Sequence, residues 1–157
     1  MICVLSRETD GGVDVSAMKK NHLNLDLASE STINLDDSQI TTVSIRKMVE
    51  LFYTRTQQDD LLGPIFSEIV QDWDAHYEKM TRFWSSAVLK SGTYSGRPIE
   101  AHKFGGLTQA HFLRWIELFT KTAQDVFTQN DAAIFVDLGR KMASSIAMRI
   151  GTGRLSF

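Results

Sequence analysis

Apolar residues recur every three or four positions along most of the chain, the spacing that places side chains on one face of an α-helix. Four segments carry this period: 42–56, 72–90, 108–128 and 131–150. Thr108 is a plausible N-cap for the third of them. No convincing strand pattern accompanies these helices, so the sequence predicts an all-α fold with four main helices.

Two shorter elements are expected between these helices. The apolar segment 61–66 is interrupted by Gly63-Pro64, which is typical of a corner or a single helical turn. Segment 98–102 begins with a proline, which suits the first turn of one short helix. This second element lies within 91–107, which holds four of the ten glycines and is predicted to be rich in loops.

The first 39 residues differ in composition from the rest. They contain no Phe, Trp or Tyr, whereas all 15 aromatic residues lie at or after Phe52. Three basic against seven acidic residues give them a net charge of −4, so the remainder carries +2 of the overall −2. Such a segment buries too little surface to offset its ordering entropy. We therefore expect a poorly ordered tail over 1–39 and a domain over 40–157.

Two alternatives for the tail remain open. Met18 could be the true start of the protein, which would make the preceding residues an artefact. Alternatively, the short apolar sets could dock on the domain. These sets are Ile2, Val4 and Leu5, followed by Leu23, Leu25 and Leu27.

Charge and composition exclude several classes of protein. The net charge of −2 provides no strongly basic surface of the kind that nucleic-acid binders carry. No apolar run of 18 residues occurs, so no membrane span is expected. Cys3 is the sole cysteine and cannot form an internal disulfide, and the N-terminus becomes charged at Arg7, too early for a signal peptide. These features favour a cytoplasmic protein.

The four histidines stand at 22, 76, 102 and 111, without the spacing of a zinc or di-iron site. Taken singly, His76 is most simply a core-edge histidine bonded to a backbone carbonyl, His102 a loop residue and His111 a surface residue. Phosphate-binding and nucleophile-elbow motifs are missing from the sequence. Haem, however, needs only one protein ligand, often a histidine, with an apolar slot around it. The pattern is compatible with such a site.

Four motifs resemble, in order, those of the group III truncated haemoglobins, and together they span about residues 45 to 150. The first is Leu51-Phe52-Tyr53 with Leu62-Gly63-Pro64-Ile65-Phe66, and the second is Ala75-His76 leading to Arg82-Phe83-Trp84. The third and fourth are Tyr94-x-Gly96-Arg97-Pro98-x-x-Ala101-His102 and His111-Phe112-x-Arg114-Trp115-x-x-Leu118-Phe119.

The resemblance implies a truncated globin fold, with two helices packed on two around haem b. It implies that His102 is the proximal ligand to the iron and thus the metal-binding residue. The distal side would be lined by Tyr53, His76 and Trp115, with apolar walls formed by Phe66, Met80, Phe83 and Trp84. Arg97 and Lys103 are candidates to pair with the haem propionates, with Arg114 and Arg149 as weaker candidates.

The function implied is that of a haem protein which binds O₂ or another diatomic gas, such as NO or CO, at a polar distal pocket. Hydrogen bonds from Tyr53 and Trp115 would stabilise the ligand, which favours a tight binder or a redox catalyst over a carrier. The alternative is a haem-dependent NO dioxygenase or peroxidase-like enzyme, supplied by a reductase that the sequence does not name. Whether the protein is an enzyme stays open. A third hypothesis, a haem-free helical interaction module, does not need His102, Tyr53 and Trp115 together.

Overall fold

The computed structural model describes residues 38–96, 102 and 105–157, and this part of the chain is helical with no strand. It contains five helices: α1 (Thr42–Gln57), α2 (Gly63–Ile69), α3 (Trp73–Leu89), α4 (Gln109–Val126) and α5 (Gln129–Arg149). The all-α prediction is confirmed. The predicted tail, except for residues 38 and 39, and the predicted short helix over 98–102, except for His102, lie outside the described residues. His102 itself lies in a 3₁₀ turn.

Side-chain caps fix where the helices begin. The hydroxyl oxygen of Thr41 accepts the backbone N–H of Ser44 (3.1 Å), so α1 starts where the sequence predicts it. Thr108 is the N-cap of α4, as expected, and its backbone N–H donates to Nδ1 of His111 (3.0 Å). His111 is therefore a capping residue rather than a plain surface residue. In α5, Thr128 caps the helix, which begins two residues before the predicted start at Asp131.

The helix α2 differs from the predicted corner or single turn. It is seven residues long, and Pro64 fits in its first turn, where a backbone N–H would have no helical partner. The Asp59 carboxylate accepts the backbone N–H groups of Leu61 (3.1 Å) and Leu62 (3.0 Å), which turns the chain tightly between α1 and α2. Gly63 permits this turn because an added Cβ would lie 2.8 Å from the carbonyl oxygen of Gln57.

Two helix pairs form the core. Helix α1 packs against α3 and α4 packs against α5, and the contact between α1 and α4 joins the two pairs. The predicted arrangement of two helices on two is thereby confirmed. Within the described residues, no helix is long and apolar enough to cross a membrane.

Helix α5 buries two small residues beside larger apolar residues that stay partly exposed. Leu138 and Met142 are only partly buried, whereas the small residues Gly139 and Ala143 lie against the core. An added Cβ at Gly139 would come within 3.1 Å of the Phe119 ring on α4. The small side chains thus let α5 approach the aromatic rings of α4 closely. The spacing of large apolar residues along the sequence does not predict this close approach.

Candidate functional site

Tyr53 is a buried residue at the centre of a group of rings, of which Trp73 and Tyr77 are partly exposed. It is 2% exposed, and α1 places it against residues of α2 and α3. The ring centroids of its neighbours lie at 4.5 Å (His76), 5.5 Å (Phe66), 6.2 Å (Trp73) and 6.2 Å (Tyr77). Tyr53 thus contacts two other predicted site residues, Phe66 and His76.

His76 is a buried histidine with an unpaired ring nitrogen. Its side chain is almost completely buried, and Nε2 has no hydrogen-bond partner among the described residues. Burial, aided by the charge of Lys79, lowers the pKa of His76 to about 4, so the ring is neutral at pH 7. A buried polar atom without a partner costs about 1–3 kcal/mol, and such atoms therefore call for an explanation such as a bound ligand.

Trp115 presents a second unpaired nitrogen. It is 1% exposed on α4, and its Nε1 has no hydrogen-bond partner in the described structure. Its ring is stacked on Phe119 (4.8 Å, 9°) and meets the edge of Phe52 (5.4 Å, 75°). Because Phe52 also contacts Tyr53 (4.9 Å), Trp115 belongs to the same group of rings. Its orientation is fixed by packing alone in this part of the chain, which leaves the N–H available to a ligand.

Three of the four predicted apolar walls, Met80, Phe83 and Trp84, lie on one face of α3, and the fourth, Phe66, lies on α2. Met80 is fully buried, and Phe83 and Trp84 are nearly so. The Phe83 ring meets Tyr94 edge-on (5.0 Å, 90°), and Trp84 is stacked on Phe119 (4.8 Å, 20°). This face therefore connects the ring group around Tyr53 to the core between α4 and α5.

Ser85 is a feature that the sequence analysis missed. Its hydroxyl oxygen is buried and has no hydrogen-bond partner within the described ranges. A serine beside two aromatic residues in a helix gives no sequence signal of this, because helical serines usually bond to the preceding turn.

His102 lies beside a cavity of about 370 Å³ and is itself 2% exposed. The described residues that line the cavity are His102, Gly105, Gly106, Leu107, Arg149 and Ile150. Both glycines have positive φ (83° and 77°), a conformation that L side chains rarely adopt, so the chain leaving His102 requires them. The predicted distal residues do not line this cavity.

Of the four basic residues considered as partners of the haem propionates, two lie among the described residues. Arg97 and Lys103 lie outside the described residues. Arg114 is engaged elsewhere, since its Nε donates to Asp59 (2.7 Å) and its Nη1 to Glu117 (2.8 Å), which raises the pKa of the guanidinium. Arg149 is exposed and borders the cavity beside His102.

These residues fit a haem group. The described part of the chain holds no cluster of three or more His, Cys, Asp or Glu side chains that could bind a metal ion, and haem iron needs only one protein ligand. His102 offers a buried imidazole beside a cavity. The apolar face of α3 would supply walls for the group, and the nitrogen atoms of His76 and Trp115 that lack partners among the described residues would supply polar groups.

Two comparisons with known proteins bear on this site. The chain is 29% identical over 110 residues to a group 3 truncated haemoglobin of Campylobacter jejuni, which covers 67% of this chain and 87% of the relative. The crystal structure of a group III truncated haemoglobin from Campylobacter jejuni matches with a TM-score of 0.68 and 27% identity, covering 71% of this chain and 92% of that one. No family model matches the chain. The predicted resemblance and the predicted truncated globin fold are confirmed.

Proposed function

We propose, since the chain is a globin-type haem protein similar to the group III truncated haemoglobins, that it binds haem b through His102 and holds O₂ or another diatomic gas beside Tyr53, His76 and Trp115. The observation that carries this proposal is the pair of unpaired buried nitrogens, Nε2 of His76 and Nε1 of Trp115. Both atoms belong to one packed group of rings, and among the described residues both lack the partner that a purely structural role would supply.

The proximal role falls to His102. Haem iron, when bound, supplies the position at which a diatomic gas is held. A neutral imidazole at 102 would offer one nitrogen lone pair to the iron, while its other nitrogen donates a hydrogen bond that fixes the orientation of the ring. The burial of His102 supports this role, because it keeps competing water away from the ring.

The distal role falls to the donors on α1 and α4. The indole N–H of Trp115 is a donor only, and the Tyr53 hydroxyl can also donate. A diatomic ligand with partial negative charge would be stabilised by about 1–3 kcal/mol by each such bond. Because both side chains are held by aromatic packing, the donors are oriented before the ligand arrives, which favours slow release over rapid exchange.

His76 adds a neutral ring to this site. Its low pKa keeps it uncharged throughout the physiological range, so it can donate or accept a single hydrogen bond without a counter-ion. Its edge-on contact with Tyr53 at 4.5 Å supports a role next to the phenol hydroxyl rather than at the protein surface.

A second candidate function rests on the same donors. Two hydrogen-bond donors on one ligand would polarise an O–O bond, which suits a haem-dependent NO dioxygenase or a peroxidase-like enzyme. Such an enzyme needs an external reductant, so a reductase would be its partner. Turnover of NO or peroxide with a chemical reductant separates the two functions, since a binding protein would turn over no faster than free haemin.

Titration of the purified protein with haemin tests the proposal. We expect a sharp Soret band that saturates at one haemin per chain. The variant to compare with the wild type is the double substitution Tyr53→Phe/Trp115→Phe, which keeps an aromatic ring at each position and removes both hydrogen-bond donors. This variant should bind haemin as well as the wild type does but should release O₂ faster. Absence of a saturable Soret band in the wild type would exclude a haem protein.

A further inference from the structure

Asp59 is a nearly buried carboxylate that lies outside the group of rings around Tyr53. Its side chain is 7% exposed, and it stands in the turn between α1 and α2. We propose that Asp59 is a positioning residue for the hydrogen-bond donor Trp115, an inference that rests on the proposed function. Asp59 acts through Arg114, which directly precedes Trp115 on α4.

The two oxygen atoms of the Asp59 carboxylate hold two separate parts of the chain. Oδ1 accepts the backbone N–H groups of Leu61 (3.1 Å) and Leu62 (3.0 Å). Oδ2 accepts Nε of Arg114 (2.7 Å), which lies 55 positions later in the sequence. A carboxylate with three donors has a fixed orientation, and its bond with the charged guanidinium is of the strong, charge-assisted kind. Asp59 therefore ties α4 to the turn between α1 and α2.

Ring packing fixes the orientation of Trp115 but not its distance from the donor on α1. Its stacking partner Phe119 belongs to the same helix, so that stack holds the ring within α4 only. The contact with Phe52 of α1 is edge-on (5.4 Å, 75°), and such contacts tolerate a range of separations. The separation between the Trp115 N–H and the Tyr53 hydroxyl thus depends on where α4 lies against α1, which the bond to Asp59 helps to fix.

A second polar link between α1 and α4 provides a matched control. Arg55 of α1 donates to Thr122 (3.0 Å) and to Asp125 (2.6 Å) on α4. Asp125 follows Trp115 by ten residues, about 15 Å along the helix axis, and its side chain is 44% exposed. Asp125→Asn therefore makes the same chemical change as Asp59→Asn in a link between the same helices, but far from the donor.

The C–O stretching band of the CO-bound ferrous protein tests whether the donor is held in place, because a hydrogen bond beside the ligand shifts this band. Asn at position 59 can still accept the N–H groups of the turn, but it cannot pair its charge with Arg114. Asp59→Asn should therefore broaden or split the band, whereas Asp125→Asn should leave it as in the wild type. Identical bands in all three proteins would overturn the inference.

The rate of O₂ release tests whether Asp59 acts through Trp115. Asp59→Asn should release O₂ about fivefold faster than the wild type, equivalent to about 1 kcal/mol. In a Trp115→Phe background the same substitution should have no further effect, because no donor is left to position. Arg114→Met, which leaves the carboxylate of the turn in place, should act like Asp59→Asn. Arg114→Lys, which keeps the positive charge, should lie between Arg114→Met and the wild type.

Two outcomes of the O₂ measurement would overturn the inference and leave the proposed function standing. One is an equal acceleration by Asp59→Asn in the wild-type and Trp115→Phe backgrounds, which would show that the effect does not pass through Trp115. The other is wild-type release from both Asp59→Asn and Arg114→Met. By contrast, failure of the wild type to bind haem, or wild-type release from Trp115→Phe, would overturn the proposed role of Trp115 and this inference with it.

Discussion

The imidazole of His76 stands edge-on against the phenol ring of Tyr53, with centroids 4.5 Å apart and planes at 81°. This contact joins α3 to α1 at the point where both helices carry predicted ligand-facing residues. It places the Tyr53 hydroxyl in one buried environment with an imidazole nitrogen that has no hydrogen-bond partner within the described ranges. A change at either residue should therefore alter ligand release before it alters the fold.

Replacing Tyr53 by phenylalanine should speed the dissociation of O₂ from the ferrous protein. Loss of one hydrogen bond of about 1–3 kcal/mol corresponds to about a 5- to 150-fold faster off-rate. Stopped-flow ligand replacement measures this rate. Tyr77→Phe is the matched control, because its hydroxyl accepts from Gln57 (3.1 Å) and its ring is half-buried. Equal off-rates in the Tyr53 variant and the wild type would remove Tyr53 as a donor.

Replacing Trp115 by phenylalanine should also speed O₂ release, by a factor in the same range. Phenylalanine can preserve the stacking on Phe119 while it removes the N–H. The off-rate of the variant, set beside its thermal melting temperature, distinguishes a lost donor from a loosened core. A normal off-rate with a lowered melting temperature would assign Trp115 to packing only.

The stability of the haem-free protein should fall as the pH is lowered from about 6.5 to about 4 because of His76. The folded-state pKa of about 4 lies below the ordinary value of 6.5, so the unfolded state binds the proton more readily. This part of the stability is fully present above pH 6.5 and is lost as the pH falls toward 4. We expect a loss of about 2 kcal/mol between pH 7 and pH 5.

Urea unfolding at several pH values measures this effect. His76→Phe, which cannot take up a proton, should lack that loss over the same range. His111→Glu is the control, since a glutamate at this position can keep the capping box of α4. An identical pH dependence in His76→Phe and the wild type would contradict the buried, neutral state of His76.

Asp59→Asn should destabilise the fold by about 1–3 kcal/mol at neutral pH. Burial alone would raise the pKa of Asp59, but hydrogen bonds from Leu62, Arg114 and Leu61 outweigh it and lower the pKa below 3.8. This stability is present above pH 3.8 and is lost as the pH falls further. Asp125→Asn, which breaks the more exposed pair with Arg55, should cost less than about 1 kcal/mol. Equal urea midpoints for the two variants would refute the difference.

The spacing of apolar residues and the capping residues predict most of the helix limits. The limits of α1, α3 and α4 fall within two residues of those that apolar spacing predicts, because each of these helices buries one continuous face. Helix α2 was less accessible to prediction. Its start depends on the turn that Asp59 stabilises and on the close approach of Gly63 to the backbone of Gln57. These are contacts between residues in the folded chain, and the spacing of apolar residues does not reveal them.

The candidate site was predicted from the resemblance rather than from spacing. Taken alone, His76 and Trp115 are ordinary residues of an apolar helix face. Only the three-dimensional packing shows that their nitrogens lack hydrogen-bond partners in the described part of the chain. The sequence also could not show that Arg114 is held by Asp59, which lies 55 positions before it.

The absorption spectrum of the ferrous, ligand-free protein tests the central claim most directly. The wild type should show the spectrum of five-coordinate haem, whereas His102→Gly should lose it and regain it when free imidazole is added. His111→Glu, a histidine replacement outside the site, should match the wild type. An unchanged ferrous spectrum in His102→Gly without imidazole would contradict the assignment of His102 as the haem ligand.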